Sequence, residues 1–404
     1  MATNSVVPEH VDPGLVRHFD FYNDQRYAQA GGIYEGIDRL RAEGAPGIFY
    51  TPEYGGHWVI HDHELVFQAA RATDIFTSRL MGIPAPPGQE EQFSPPITVD
   101  PPLHDQYRKP IVQAFTPKLM QALEGHIREL AVRLIDQIAG KGRCDFVAAV
   151  AEPMPVMIFM ELMGMPLERL HEFRALVPLC LLNHDEESRM AAMGQVAAEM
   201  WALIEQRKIK REDDLISMLV DIQIDGRPVT DEECIGFAVQ IFFAGLDTVT
   251  NAMSFGTLRL AKEQALQTHL RENPKDIVAA SEELLRCYAP AQPTRGVTRD
   301  VEWNGVRFGK RDRVLLFLAA ANRDPKAFDR PTEVDLDRKT PHMAFSAGPH
   351  RCLGSHLARL ELQIMYNELL TRVPQFRLDP DQPPRYHGGI VIGMDSLPLV
   401  WDVA

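Results

Sequence analysis

Apolar residues recur at three- and four-residue spacing through most of the chain after His104, so helices are predicted to dominate. In Pro117–Gly140 the stripe is Leu119, Leu123, Ile127, Leu130, Leu134 and Ile138. Further helical patterns cover Gly32–Glu43, His63–Thr73, Glu152–Met165, Glu187–Lys208, Asp213–Asp221 and Pro274–Cys287. Met154, Met157, Met160 and Met163 lie in one of these, and methionine at that spacing is read as adaptable core packing. Thr230-Asp-Glu-Glu is a capping box with Thr230 as N-cap and Glu233 at the third helical position, and its pattern runs on to about Lys262, the longest in the chain. Short alternating runs predict strands at Gly47–Thr51, His57–Asp62, Thr294–Thr298, Val301–Phe308, Val314–Ala319, Phe376–Leu378 and Gly389–Trp401, the first two joined as a hairpin. No internal repeat or linker interrupts 1–404, which predicts a single mainly α domain with a smaller β-rich part.

Ser78–Pro102 breaks this regularity. It carries Pro84, Pro86, Pro87, Pro95, Pro96, Pro101 and Pro102 without sustained periodicity. A structureless stretch of that length in a compact domain reads as a lid or binding loop.

Composition narrows the function. The formal charge of −14 argues against nucleic acid and anionic membranes as general partners. Cys144, Cys180, Cys234, Cys287 and Cys352 are odd in number and scattered, with no C-x-x-C, which suits a reducing cytosol rather than a disulfide framework or structural zinc. Met1–His10 has neither a basic nor an apolar leader region, and the most apolar stretch, Gly236–Leu246, is too short to span a bilayer. A soluble, unanchored cytoplasmic protein is expected.

Three places carry candidate chemistry. Phe345, Gly348, Cys352 and Gly354 stand at fixed spacing just before a helical pattern, where backbone N–H groups favour a thiolate and lower a thiol's pKa. Such a cysteine is either a buried structural thiol or a metal ligand. Inside the long helix, Gly245, Asp247 and Thr248 are each locally unfavourable. The hydroxyl of Thr248 can bond back to the carbonyl of residue 244, and an acid beside an alcohol makes a proton relay. A kinked helix with a capped aspartate is the alternative. Gln240 shares the face of Ala244 and Thr248, so its amide either orients a substrate oxygen or satisfies a neighbouring backbone group. Two pairs, Glu283 with Arg286 and His104 with Arg108, complete the set.

Together these residues resemble the cytochrome P450 family of haem-thiolate monooxygenases. The order of the thiolate loop, the acid–alcohol helix and both pairs matches that family over essentially the whole chain. The resemblance leans to the bacterial camphor hydroxylase branch, through Gly55-Gly-His-Trp58, Gly245-Leu-Asp-Thr248, Glu282-Glu-Leu-Leu-Arg286 and Leu397-Pro-Leu-Val-Trp-Asp402. It implies a haem b held between the long helix and the cysteine-loop helix, with Cys352 as thiolate ligand and Asp247 with Thr248 delivering protons. His104, Arg108, Arg295 and His350 would bind the haem propionates, and Phe345, Gly348 and Ala244 would border the cofactor. Glu283 and Arg286 would be structural. Substrate contacts would come from the Ser78–Pro102 loop, through Gln92 and Phe93, and from Gln240, Phe243, Ala291 and Val391.

The family's arginine is replaced at His350, a variant found in that branch. No tyrosine lies between Tyr54 and Tyr107, so the loop lacks the camphor enzyme's ketone donor. A small cyclic monoterpenoid or norisoprenoid of cineole, camphor or ionone type is the expected substrate, with dioxygen and electrons from a [2Fe–2S] ferredoxin and its reductase. The chain has no flavin, nicotinamide or iron–sulfur motif of its own. Arg108, Lys109, Arg351 and Arg359 offer that ferredoxin a basic patch. A peroxide-driven haem-thiolate enzyme or isomerase and a non-catalytic haem-thiolate sensor or carrier are the competing readings, and neither needs Asp247 and Thr248.

Overall fold

The computed structural model describes residues 6–85, 91, 93–181 and 185–403. Its organising element is a continuous helix, Asp231–Lys262. The capping box forms as the sequence requires: the Glu233 N–H donates to the Thr230 hydroxyl at 3.3 Å and the Thr230 N–H to Glu233 at 2.9 Å. Asp231, Glu232 and Glu233 in the first turn and Arg259 and Lys262 in the last complement the helix dipole.

This helix joins two hydrophobic cores. Cys234, Phe237, Phe242 and Leu246 pack into one with Phe159, Phe173 and Met200. Val249, Met253, Phe255 and Leu260 pack into the other with Leu284, Met365 and the main sheet. The changeover falls at residues 247 and 248, so the acid–alcohol pair sits at the seam. By length and hydropathy the helix could cross a membrane, which Gly236–Leu246 alone did not suggest. It packs instead against Pro153–Leu162, Glu186–Ile209, Ile277–Cys287 and Ser355–Arg372. Two glycines permit these crossings. A Cβ at Gly245 would meet the Phe159 ring at 2.9 Å, and one at Gly256 would collide with the Tyr366 hydroxyl, which donates to the Ala252 carbonyl at 3.2 Å.

The predicted hairpin is present as Ile48–Thr51 and His57–Ile60. It lies at the edge of a five-stranded sheet that continues through Arg313–Leu316, Thr294–Val297 and Phe76–Thr77. His57–Ile60 and Arg313–Leu316 are parallel, while the other neighbours are antiparallel. The methionines of Pro153–Leu162 are buried, as expected for core packing.

Some boundaries move. Val301–Phe308 is two strands turning at Asn304 and Gly305, both with positive φ, a hairpin geometry that these residue types supply. The strand expected to reach Ala319 stops at Leu316, and Leu318–Ala321 is helical. Gly389–Trp401 divides into Gly393–Ser396, which pairs with Arg385–His387, and Pro398–Trp401, which lies between Phe376–Leu378 and Arg143–Asp145. The described parts of Ser78–Pro102 contain turns and bends but no helix or strand.

Candidate active site

The cysteine loop is shaped by two left-handed residues, Ser346 (φ 59°) and Gly348 (φ 70°). Glycine is required at 348 for a second reason, because a Cβ there would lie 2.5 Å from the Ala70 carbonyl oxygen. The Cys352 N–H donates to the Phe345 carbonyl at 2.9 Å, closing the loop two residues before the N-cap Gly354 of helix Ser355–Arg372. The Arg359 guanidinium lies 4.5 Å over the Phe345 ring. Cys352 is the exposed cysteine among the five, although Ala347 and Ser355 near it are buried.

The expected lowering of its thiol pKa is not found. Although its surface is open to solvent, Cys352 is closely surrounded by protein atoms, and this desolvation pushes the thiol up, against the Gly354 N–H and the charges of Arg108, Arg351 and Arg359, which pull it down. A directly bound metal cation outweighs such an environment, since a coordinating thiol is deprotonated outright.

His104, Arg108, Arg295 and His350 are brought together from three segments: helix Leu103–Val112, strand Thr294–Val297 and the cysteine loop. The His104 and His350 rings are 4.6 Å apart. Burial, then Arg295, His104 and Arg108, push His350 down to about 2, and burial pushes Arg295 down to about 10 against the pull of Asp100. Buried nitrogens are left over: Nε2 of His104, Nε2 of His350 and Nε of Arg295 have no hydrogen-bond partner among the described residues. Unpaired buried donors are costly, and a cluster of them with cationic neighbours fits a group carrying two carboxylates. Arg108 donates to the Arg351 carbonyl and lies close enough to Cys352 to feel its charge. The cluster thus adjoins the thiol.

On the long helix the acid–alcohol pair has the expected local geometry. The Thr248 hydroxyl donates to the Ala244 carbonyl at 3.2 Å, yet the helix remains unbroken from 231 to 262. Ala244 is exposed between buried Phe242 and Leu246. Gly245 serves packing, since a Cβ there would press on the Phe159 ring. Burial raises Asp247 above the ordinary carboxylate range, against a 2.9 Å bond from the Asn251 amide that lowers it.

The residues expected near substrate fall into two groups. Gln240 donates to the Ser94 carbonyl at 3.0 Å and to its hydroxyl at 2.6 Å, so its amide ties the Pro-rich loop to the long helix. Phe93 is exposed and edge-on to Tyr107. Gln92 lies outside the described residues. Ala291 and Val391 pair in an isolated antiparallel bridge, while Phe243 is half-buried beside Phe242. Asp100, Ser94 and Asn251 were missed in the sequence. Asp100 accepts from the Thr77 hydroxyl and the Ser78 N–H, pinning the two ends of the loop beside the cation cluster. Asn251 was findable, because it stands four residues after Asp247 on the same helix face.

A thiol at a helix mouth, a cationic cluster whose buried nitrogens exceed the carboxylates beside it and an acid–alcohol pair on a core helix fit a haem-thiolate oxygenase. The Cytochrome P450 family profile matches residues 173–401. The chain is 34% identical, over 98% of its length and 97% of the relative's, to a probable cytochrome P450 127A1 of Sinorhizobium fredii (strain NBRC 101917 / NGR234). The structure of CYP101J2 superposes with a TM-score of 0.90 at 30% identity, covering 99% of this chain and 100% of that one. That of CYP101C1 does so at 0.90 and 31%, covering 98% and 100%. The chain belongs to the cytochrome P450 family and is a haem-thiolate monooxygenase.

Proposed function

We propose that this chain inserts one oxygen atom from dioxygen into a small cyclic apolar molecule, a monoterpenoid or norisoprenoid of cineole, camphor or ionone type. Electrons come from a [2Fe–2S] ferredoxin and its reductase. What supports the substrate class is the apolar character of Phe243, Ala244, Ala291 and Val391, with the Gln240 amide engaged by Ser94. Such a surface selects by shape and apolar contact. From the covering loop, exposed Phe93 is the described residue proposed to meet the substrate.

The residues divide the work. Cys352 would ligate the haem iron, and His104, Arg108, Arg295 and His350 would hold the propionates, with Phe345 and Gly348 shaping the loop and Ala244 leaving room at the helix. Haem supplies the binding and reductive activation of dioxygen. Asp247, whose pKa burial raises, passes protons to Thr248, whose hydroxyl is positioned by the Ala244 carbonyl. For the ferredoxin, Arg108, Lys109 and Arg351 remain on the thiolate side. Arg359 is taken by Glu282 through bonds of 2.7 and 2.8 Å and contributes less charge than expected.

Two results test this reading. β-Ionone, 1,8-cineole or camphor is expected to convert the haem from low to high spin at micromolar to millimolar concentration, the ordinary KM range. No shift with any of the three overturns the substrate class. Thr248→Ala is expected to keep the spin shift while product per NADH falls on the order of 10²-fold and hydrogen peroxide rises, the scale of positioned proton transfer. Unchanged coupling removes Thr248 from the relay.

A further inference from the structure

The proton path cannot end at Asp247, which is largely buried and must be resupplied. The strand pair Arg385–His387 and Gly393–Ser396 packs on the long helix at that point. The Met394 N–H donates to the Asn251 side-chain oxygen at 2.8 Å, and the Asn251 amide donates to Asp247 at 2.9 Å. One asparagine therefore joins the hairpin to the acid. His387 is opposite Gly393, one residue from this junction.

His387 is held in a defined pose. A Cβ at Gly393 would collide with its ring, so the imidazole lies directly over that glycine. The Nδ1 atom is 2.8 Å from Asp395, which places a proton on Nδ1 and directs it to the carboxylate. The Nε2 atom is buried and has no partner among the described residues. The ring is nevertheless 30% exposed and Asp395 44% exposed, so the pair reaches solvent.

We propose that His387, oriented by Asp395, is the solvent-side relay that recharges Asp247 with protons during turnover. The imidazolium gives its Nε2 proton to the Asp247 carboxylate, directly or through one water. The ring is left neutral with Nδ1–H on Asp395, Asp247 becomes a neutral carboxyl, and solvent returns one proton to the ring. Charged groups facing this path are Asp395 from the hairpin, Asp247 from the long helix and Glu152 after the turn Val147–Ala151. Arg385, at the far end of its strand, is exposed. Asp395 first, then Asp247, raise His387 above its ordinary value while burial opposes them.

The inference rests on Asp247 acting as proton donor, and the experiment separates the two. In 13C-histidine-labelled protein without substrate, the His387 resonance, assigned by its loss in His387→Gln, is expected to titrate at lower pH in Asp247→Asn. In turnover with β-ionone and a surrogate ferredoxin system, wild-type coupling is expected to fall as pH rises through that midpoint. His387→Gln lowers coupling several-fold at the acid end and flattens the profile, and Asp395→Asn moves the fall to lower pH. An unshifted midpoint in Asp247→Asn, or a His387→Gln profile matching wild type, overturns the relay. If Asp247→Asn uncouples while His387→Gln does not, only His387 is excluded. If neither uncouples, the Asp247 reading fails with it.

Discussion

Cys352→Ala is expected to remove the red-shifted Soret band of the reduced carbon monoxide complex and with it essentially all monooxygenase turnover. The other cysteines cannot substitute. Cys180, Cys234 and Cys287 are buried, Cys144 sits half-buried on a strand, and burial raises all four thiols. Burial raises Cys352 too, but Cys352 alone of the five receives a backbone N–H, from Gly354, and lies at the mouth of a helix. A thiolate ligand donates the electron density that favours O–O cleavage, and alanine supplies neither ligand nor charge. The four proposed propionate partners are unchanged in this variant, so some haem is expected to be retained by apolar packing and polar contacts. The informative reading is thus the spectrum rather than haem content. A persisting red-shifted band in Cys352→Ala would refute the ligand assignment.

How much of this site could be read from the chain depended on whether its signal was local. The long helix was found to within a residue at each end because its capping box and apolar run are local features. The cysteine loop was equally legible, since glycine, cysteine and helix mouth occur within ten positions. Strand Arg143–Asp145 was not, because only its pairing with Pro398–Trp401 makes it a strand. Leu318 and Ala319, the first half of helix Leu318–Ala321, were assigned to a strand because so short an apolar run has no period to distinguish the two states. The same division runs through chemistry. Asp247 and Thr248 violate local preference and were visible. Asp100 and His387 obey it, and their roles arise from partners 250 or 140 positions away in the chain, His350 and Asp247. The thiol's pKa direction failed for a related reason. Local donors were legible, whereas burial is a property of the whole fold.

Glu283→Ala is expected to produce the largest loss of stability, about 3–5 kcal/mol, the cost of leaving a buried charge without its partner. Arg286 is fully buried and donates to both oxygens of Glu283, at 2.7 and 3.0 Å. Its remaining donors reach the carbonyls of Asn322, Pro331 and Glu333 at 3.0, 2.7 and 2.8 Å. Glu283 also accepts from the Asp335 N–H at 2.9 Å and from Arg338 at 3.0 Å. This is no surface ion pair: it fastens the segment from 322 to 338 that leads into the cysteine loop, and the Asn322 side chain accepts the Met343 N–H at 2.7 Å. Against a typical total of about 5–15 kcal/mol, such a loss leaves much of the protein unfolded or without haem. Arg286→Lys fares nearly as badly, because one ammonium cannot reproduce the planar fork. The pH dependence has a definite sign. Burial alone would raise Glu283, but the Arg286 bond, the Asp335 N–H and Arg338 prevail and hold it below the ordinary carboxylate value. Its contribution is therefore complete above the unfolded carboxylate pKa and is lost as pH falls through the depressed one. Urea midpoints of wild type and Glu283→Gln across that acid range check this, with the difference expected to narrow as pH falls. A Glu283→Ala protein with a wild-type midpoint and intact carbon monoxide spectrum would show that the thiolate loop is held by other contacts.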